Sequence, residues 1–446
     1  MHIFTDLRTD ADSNWRRFVL FRVLFNSRFY YPVLAVLFLD LGLSVTEYTL
    51  LNFAWALAIV VTDVPAGVLA DRIGRKPLVV SATLCMVGEM ILLAVAPFNG
   101  GLVLFLICLA NRSLSGIAEG LASGADEALV FDSLAERNRS AEWPLVLDQV
   151  MRWQAVGMVI AMLVGGAVYD PVFVNRVGGA LGYSLHLDQS ITLRFPIYLN
   201  LVMALTALAV VLGFREPSLR KTNAAPVEAG KPDTAMGAFT LVLTAGSWIA
   251  RTPVALFVIV GGFLLDSVIR LFLTFSSSYF RLISLPEASY GLIGSCLGGL
   301  GLVISPVARR MVGANSLARN YLLIASMTLA ALIGVAFEWQ LWGLIFILPL
   351  GVAMIALGFM VSYYLNALID SHHRATVLSF KGLAFNLGYG FISLLFALAL
   401  RAYRDDGRPE EAFAQGLRFI PLWLLLTLIL LAIVFWRHRA LLCRKF

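Results

Sequence analysis

Apolar windows of about 20 residues recur along the whole chain, each long enough to cross a hydrocarbon core of roughly 30 Å as a helix. Read between turn and charge clusters, they fall at 18–41, 48–70, 77–97, 101–128, 145–168, 192–213, 252–280, 289–308, 319–336, 340–363, 376–400 and 418–436. Lipid offers no partner to a bare backbone amide, so only helices and closed barrels can span it. A barrel needs strands of about 10 residues in strict alternation, and that pattern is missing. The reading is an all-α membrane protein with twelve transmembrane helices. With 59% of its 446 residues hydrophobic and 14% charged, the chain is far too apolar for a soluble protein.

The net charge of +6 raises nucleic acid as a partner. The basic residues, however, stand in short clusters between apolar spans, which is the positive-inside pattern, and no nucleic acid is expected. An even number of spans puts both termini on one side. Lys76, Lys221, Lys231, Lys381 and Lys445 fall on that side or at a span end facing it, as do Arg309, Arg310, Arg437 and Arg439. That side is expected to be the cytoplasm. Arg22 and Arg28 interrupt the first apolar run and no small-residue cleavage site follows, so the first span is read as retained. Cys85, Cys108 and Cys296 lie in apolar windows and Cys443 in the tail, which implies no disulfide framework.

The longest polar segment on the cytoplasmic side is 215–250, opening REPSLRKTNAAPVEAGKPDTA. It reads as a flexible linker between a six-helix bundle at 1–214 and a second at 251–446. An offset of 242 positions aligns Arg28 with Arg270, Phe38 with Phe280, Tyr48 with Tyr290, and Leu50 and Leu51 with Leu292 and Ile293. EALVFDS (Glu127 to Ser133) resembles NALIDS (Asn366 to Ser371) with a one-residue gap. Each match is weak alone; together they argue for two parallel, pseudo-symmetric half-bundles related by an axis along the membrane normal.

DVPAGVLADRIGRKP, Asp63 to Pro77, stands at the cytoplasmic end of the second span and in the short loop before the third. Its Gly67, Leu69, Ala70, Asp71, Arg72, Gly74, Arg75 and Lys76 resemble the G-x-L-A-D-R-x-G-R-K signature of the major facilitator superfamily. With the twelve spans and the linker, the resemblance covers essentially the whole chain. RSLSGIAEG, on the fourth span, resembles the family's R-x-x-x-G motif through Arg112 and Gly116. The second-half counterpart of the loop, VARRMVGANSLARN, keeps the basic residues but lacks the Asp and the G-R-K. SGADEALVFDSL and HHRATVLS look like a bacterial branch whose members mostly lack an assigned substrate.

The resemblance implies a cytoplasmic gate. In it Gly67 lets two helix backbones approach closely, Asp71 sits against the N-terminal dipole of a helix from the other half, and Arg75 pairs with an acid at the end of the fourth helix. Asp126 and Glu127 are the candidates for that acid. The plainer reading of Arg72, Arg75 and Lys76 is that they anchor the loop on the positive side.

Ionisable groups inside the membrane are costly, so each should face a cavity or a partner. Arg28, about 11 residues into the first span, lies about 16 Å deep, near the midplane. The resemblance carries helices 1, 4, 7 and 10 to a central cavity. Arg28 and its repeat mate Arg270 are therefore candidates to clasp an anion from both halves, as guanidinium groups suit phosphate or carboxylate. The competing reading is that Asp266, four residues before Arg270 on the same face, neutralises it. On the fourth span Arg112, Gly116, Glu119, Ser123 and Asp126 draw one polar stripe at 3–4 spacing. An acid and a base on such a stripe can exchange partners on protonation, which couples a proton to a conformational change.

Glu119, Asp266 and Asp63 are the candidates for that proton; Asp63 also fits the packing motif before Gly67, and Glu89 is expected to pair locally. Asn26, Tyr30 and Tyr31 on the first span, and Tyr363, Tyr364, Asn386 and Tyr389 later, are candidates for a cavity lining or for ordinary packing. His372 and His373 lie in a loop with no spaced Cys or His nearby, so no metal is expected. No Walker motif, Gly-rich nucleotide loop or soluble catalytic domain is present in the sequence, which argues against an enzyme and against ATP-driven transport.

The expectation is a monomeric secondary active transporter, multi-pass in a bacterial cytoplasmic membrane with both termini cytoplasmic. It would need no cofactor, draw on the proton gradient, and have a small-molecule substrate and membrane lipid as partners. A small organic anion is the first cargo expected, and amphiphilic drugs or lipids for export the second. A non-transporting sensor on the same fold is a third reading, against which the intact gate motif argues.

Overall fold

The computed structural model describes residues 14–217, 235–369, 374–401 and 409–443, and among these there is no strand. The first span consists of α1 (Asn14–Asn26), a 3-10 turn (Tyr31–Val33) and α2 (Leu34–Asp40). The first half continues with α3 (Val45–Ile73), α4 (Arg75–Ala94), α5 (Gly101–Ala122) with α6 (Ala125–Ala135), α7 (Trp143–Tyr169), the short α8 (Pro171–Ala180) and α9 (Gln189–Thr192), and α10 (Phe195–Leu212). After α11 (Ala235–Arg251) come α12 (Pro253–Thr274) with α13 (Ser276–Leu282), α14 (Tyr290–Ala314), α15 (Leu317–Val335), α16 (Ile347–Leu368), α17 (Arg374–Arg401), α18 (Pro409–Phe435) and the short α19 (Arg439–Leu442). Among the described residues 11 helical segments are long and apolar enough to cross a membrane, and the interrupted first span supplies the twelfth. The architecture is all-α, two pseudo-symmetric bundles of six.

The interruption has a local cause. Pro32 has no N–H to give the Arg28 carbonyl four residues back, and its ring crowds that carbonyl. Tyr31 N–H bonds it instead, at 3.2 Å. Amides freed by the break find partners from elsewhere: Phe29 N–H donates to Asn200 Oδ1 at 2.6 Å, from α10. Ala35 and Val36 N–H, in the first turn of α2, donate to Ser277 Oγ at 3.0 and 3.2 Å, from the other half. Ala35 and Ser277 are 242 positions apart, the offset of the internal repeat. Two residues related by the repeat that touch each other must lie beside the pseudo-twofold axis, so the axis passes between α2 and α13.

Lipid gives apolar side chains no reason to cluster, so small residues decide where helices meet. A Cβ on Gly116 would fall 2.5 Å from the Trp55 carbonyl oxygen, and one on Gly120 2.8 Å from Thr62 Cβ, so the two glycines seat α5 against α3. The halves meet along α3 with α17, where the Trp55 and Tyr389 rings stand edge to face at 6.0 Å. They also meet along α7 with α14, where a Cβ on Gly166 would lie 2.9 Å from the Gly291 nitrogen.

The expected flexible linker 215–250 is a linker only in part. Residues 218–234 lie outside the described residues, but from Ala235 the chain is helical. Ala245 and Ile249 bury their side chains, and Gly246 lies against the Phe380 ring, so α11 docks on α17. Asn14 exchanges hydrogen bonds with the Arg215 backbone at 2.9 and 3.0 Å, tying the start of α1 to the chain leaving α10. That end of the bundle is called the terminal end below, and the opposite one the far end.

Candidate functional site

Two cavities flank the break. One of about 380 Å³ lies on its terminal side; Arg22, Asn26, Arg28 and Tyr31 reach it from the first span, Glu119 from α5, Asp126 from α6 and Ser123 from the turn between those two. Another of about 520 Å³ has Arg270 and Thr274 of α12 in its wall, together with residues of α7, α14 and α16. Tyr31 belongs to both.

Arg28 is 3% exposed, lies 5.2 Å from the Phe25 ring centre and forms an ion pair with the fully buried Glu89 of α4. Glu89 therefore pairs with a residue of another span. Arg270 sits 2.6 Å from Asp266 and donates to Asn386 Oδ1 at 3.0 Å, with the Tyr389 ring centre 5.6 Å away. Each arginine of the expected clasp thus already holds a carboxylate. Arg22 donates to Asp126 at 3.0 Å and to Glu127 at 2.7 Å. Glu119, partly buried, has no hydrogen-bond or ion-pair partner among the described residues.

The stripe expected on the fourth span divides in two. Arg112 leans toward α3, donating to Asn52 Oδ1 at 3.3 Å with the Trp55 ring centre 5.2 Å away, and lines neither cavity. It shares the α3 seam with Gly116. Glu119, Ser123 and Asp126 turn to the terminal-side cavity. Asn26 donates to the Arg22 carbonyl at 2.8 Å, and Tyr30, 3% exposed, packs edge-on against Tyr31 at 5.3 Å. Tyr364 is fully buried in the second half, where its hydroxyl accepts from Asn320 Nδ2 at 2.8 Å. Tyr364 and Asp63 line neither cavity.

The signature loop departs from the expected contacts at two points. A Cβ on Gly67 would meet nothing within 4 Å, so this glycine seats no neighbouring helix. Arg75 pairs with Asp132 and the Ala128 carbonyl of α6 rather than with Asp126 or Glu127, whose partner is Arg22. About a turn and a half further along α6, Asp132 meets Arg75, while Asp126 and Glu127 face Arg22 of α1. Gly74, at φ 108°, makes the turn that L side chains resist and exposes the start of α4. Glu216 caps it, accepting from Arg75 N–H at 2.9 Å and Lys76 N–H at 2.7 Å, where a carboxylate meets the positive end of the helix dipole. Lys76 Nζ donates to the Leu212 carbonyl at 3.0 Å. The Asp71 side chain lies outside the described residues, as do His372 and His373.

At the far end the halves are pinned together. Arg281 of α13 grips Asp40 at the end of α2 with two bonds of 2.6 and 2.7 Å, and also holds Glu287. Tyr169 donates to Asp40 at 2.5 Å, and Ala288 N–H to Asp170 at 3.2 Å. Among ion pairs with both partners described, Asp40–Arg281 is the one that joins the halves. Sequence reading gives no sign of this network, of Glu216, or of Asn200. The repeat offset does carry Ala35 onto Ser277, which is the one signal for that contact.

Two bundles around two cavities at a helix break, one of them lined with charge, and joined at one end by the Asp40–Arg281 ion pair, have the build of a solute transporter. The Major Facilitator Superfamily model matches residues 18–393, and the chain belongs to this family. No curated protein matches it in sequence. Its fold is similar to the nucleoside transporter NupG, with TM-score 0.68, 12% identity and coverage of 94% of this chain and 98% of that one. It is also similar to a bacterial homolog of the human lysosomal transporter Spinster, inward-facing and occupied, with TM-score 0.66, 13% identity and 98% of each chain covered. A D-xylose-proton symporter matches with TM-score 0.61 and 16% identity over 92% of this chain and 96% of that one.

Proposed function

We propose that the chain is a proton-coupled secondary active transporter of a bacterial cytoplasmic membrane, with its termini in the cytoplasm, working as a monomer. It moves a small organic solute by rocking its halves about the helix break. The observation that carries this reading is Glu119, a carboxylate with no partner among the described residues, in a cavity beside Arg22, Arg28, Tyr31 and Asp126. A carboxylate so placed in a membrane needs a proton or a ligand's charge, and exchanging the one for the other couples the proton gradient to transport. That the D-xylose neighbour is a proton symporter supports the coupling. On this reading the far-end pins and the terminal-side cavity belong to a state open to the cytoplasm, and the loop holding Asp71, Arg72, Gly74, Arg75 and Lys76 would close that side.

An anionic cargo would have to draw Arg28 from Glu89 or Arg270 from Asp266, which weighs against the arginine clasp. The coupling is tested in proteoliposomes enclosing a pH-sensitive dye and challenged with a panel of small organic solutes. Solute-evoked proton movement is expected in the wild type and its loss in Glu119→Gln. Solute uptake indifferent to a collapsed proton gradient overturns the coupling.

A further inference from the structure

The two cavities share the Tyr31 ring, but their linings differ in kind. On the terminal side the lining is charged. Its Arg28 is held by Glu89 and its Arg22 by both Asp126 and Glu127, so carboxylates outnumber arginines there, and Glu119 is the carboxylate of the lining with no ion-pair partner among the described residues. On the other side the wall is mostly apolar, and its one arginine, Arg270, is neutralised by Asp266. Met158, Met162 and Met354 contribute flexible thioethers that adapt to varied apolar shapes. Gly298 and Gly301 of α14 face the same cavity, and a Cβ on either would meet nothing within 4 Å. These two glycines seat no neighbour; they widen the space.

Building on the transporter reading, we infer that the substrate is an amphiphilic organic cation, its ammonium head against Glu119 and its apolar body across Tyr31, beside Gly298 and Gly301. Charge decides the sign: every arginine facing either cavity is already paired, so an anion finds no guanidinium to spare, while a cation finds a free carboxylate. Tyr31, which lines both compartments, is the side chain the cation would pass between Glu119 and the apolar wall. Volumes of about 380 and 520 Å³ are each within the range of pockets for drug-sized ligands, roughly 300–1,000 Å³.

The test uses the purified full chain in nanodiscs and three probes: phenylbutylamine, phenylbutyrate with the same body and the opposite head, and ethylamine with the head alone. Phenylbutylamine is expected to bind, with phenylbutyrate and ethylamine each weaker by about tenfold or more. Glu119→Gln should weaken the amine by about tenfold or more, and Glu119→Asp should restore part of that binding. Gly298→Leu, which fills the apolar compartment, should weaken phenylbutylamine and leave ethylamine unchanged. If Glu119→Gln does not fold, the amine against phenylbutyrate comparison on the wild type decides. Equal binding of the two, no amine binding, or amine binding unmoved in Glu119→Gln overturns the inference. Proton movement evoked by other solutes, without amine binding, overturns the cation and leaves transport standing; amine binding without any proton movement does the reverse.

Discussion

Arg28 and Glu89 form an ion pair across two spans in which the side chains are 2% and 0% exposed, at the point where the first span is interrupted. Removing one partner of a buried pair leaves the other charge uncompensated, at a cost of about 3–5 kcal/mol. Glu89→Gln is therefore expected to lower the melting temperature in detergent sharply, and Arg28→Met together with Glu89→Leu to recover most of the loss. A single mutant as stable as the wild type would show that the pair does not hold the break.

Two glycines separate a structural role from a signature role. Gly116→Ala puts a methyl 2.5 Å from the Trp55 carbonyl and 2.8 Å from Ala58 Cβ, so α5 must back away from α3. Overpacking of this kind costs about 1–3 kcal/mol. Gly67→Ala meets open space and should be neutral or stabilising by about 0.5–1 kcal/mol, as for Gly to Ala in an unobstructed helix. Thermal unfolding of the two variants side by side checks the contrast.

Ser277→Ala leaves the Ala35 and Val36 amides without their acceptor. An unmet buried donor costs about 1–3 kcal/mol. Hydrogen exchange is expected to speed up at those two amides, and Ser277→Thr, which keeps the hydroxyl, to slow it again. Unchanged exchange in the alanine variant would mean that the amides are satisfied some other way.

Arg281→Ala removes the ion pair that joins the halves at the far end. Spin labels placed on the two halves at that end should then report a larger share of separated distances. Asp40→Asn should act in the same direction, since it weakens the same grip. A distance distribution identical to the wild type would show that the remaining contacts between the halves, α7 with α14 and Ala288 with Asp170 among them, keep that end closed without it.

Much of the fold is legible in the sequence because a membrane permits so few solutions. Apolar length fixes the spans, and the loop signature at Asp71 to Lys76 fixes the family. The terminal-side cavity is partly legible: Arg28, Tyr31 and Glu119 stand out as polar groups in apolar windows. Partner choice is not legible, since it depends on where side chains from distant spans end up. Glu89 meets Arg28, Asp132 takes Arg75, and Glu216 caps α4 for reasons of packing that no spacing reveals. Arg112 and Glu119 share a stripe by helical count, yet the long arginine leans to the α3 seam while the carboxylate faces the cavity.

The interrupted first span also bears on how the chain is made. Two amides at the start of α2 are satisfied by Ser277, which the ribosome adds 241 and 242 residues later. At about 5–20 residues per second, the delay is on the order of tens of seconds. Through that interval an early membrane segment carries donors with no permanent acceptor, in the solvent that tolerates them least. The first bundle is therefore expected to leave the translocon unfinished, needing a temporary partner, in water, lipid headgroups or an insertion chaperone, until its later-made twin arrives.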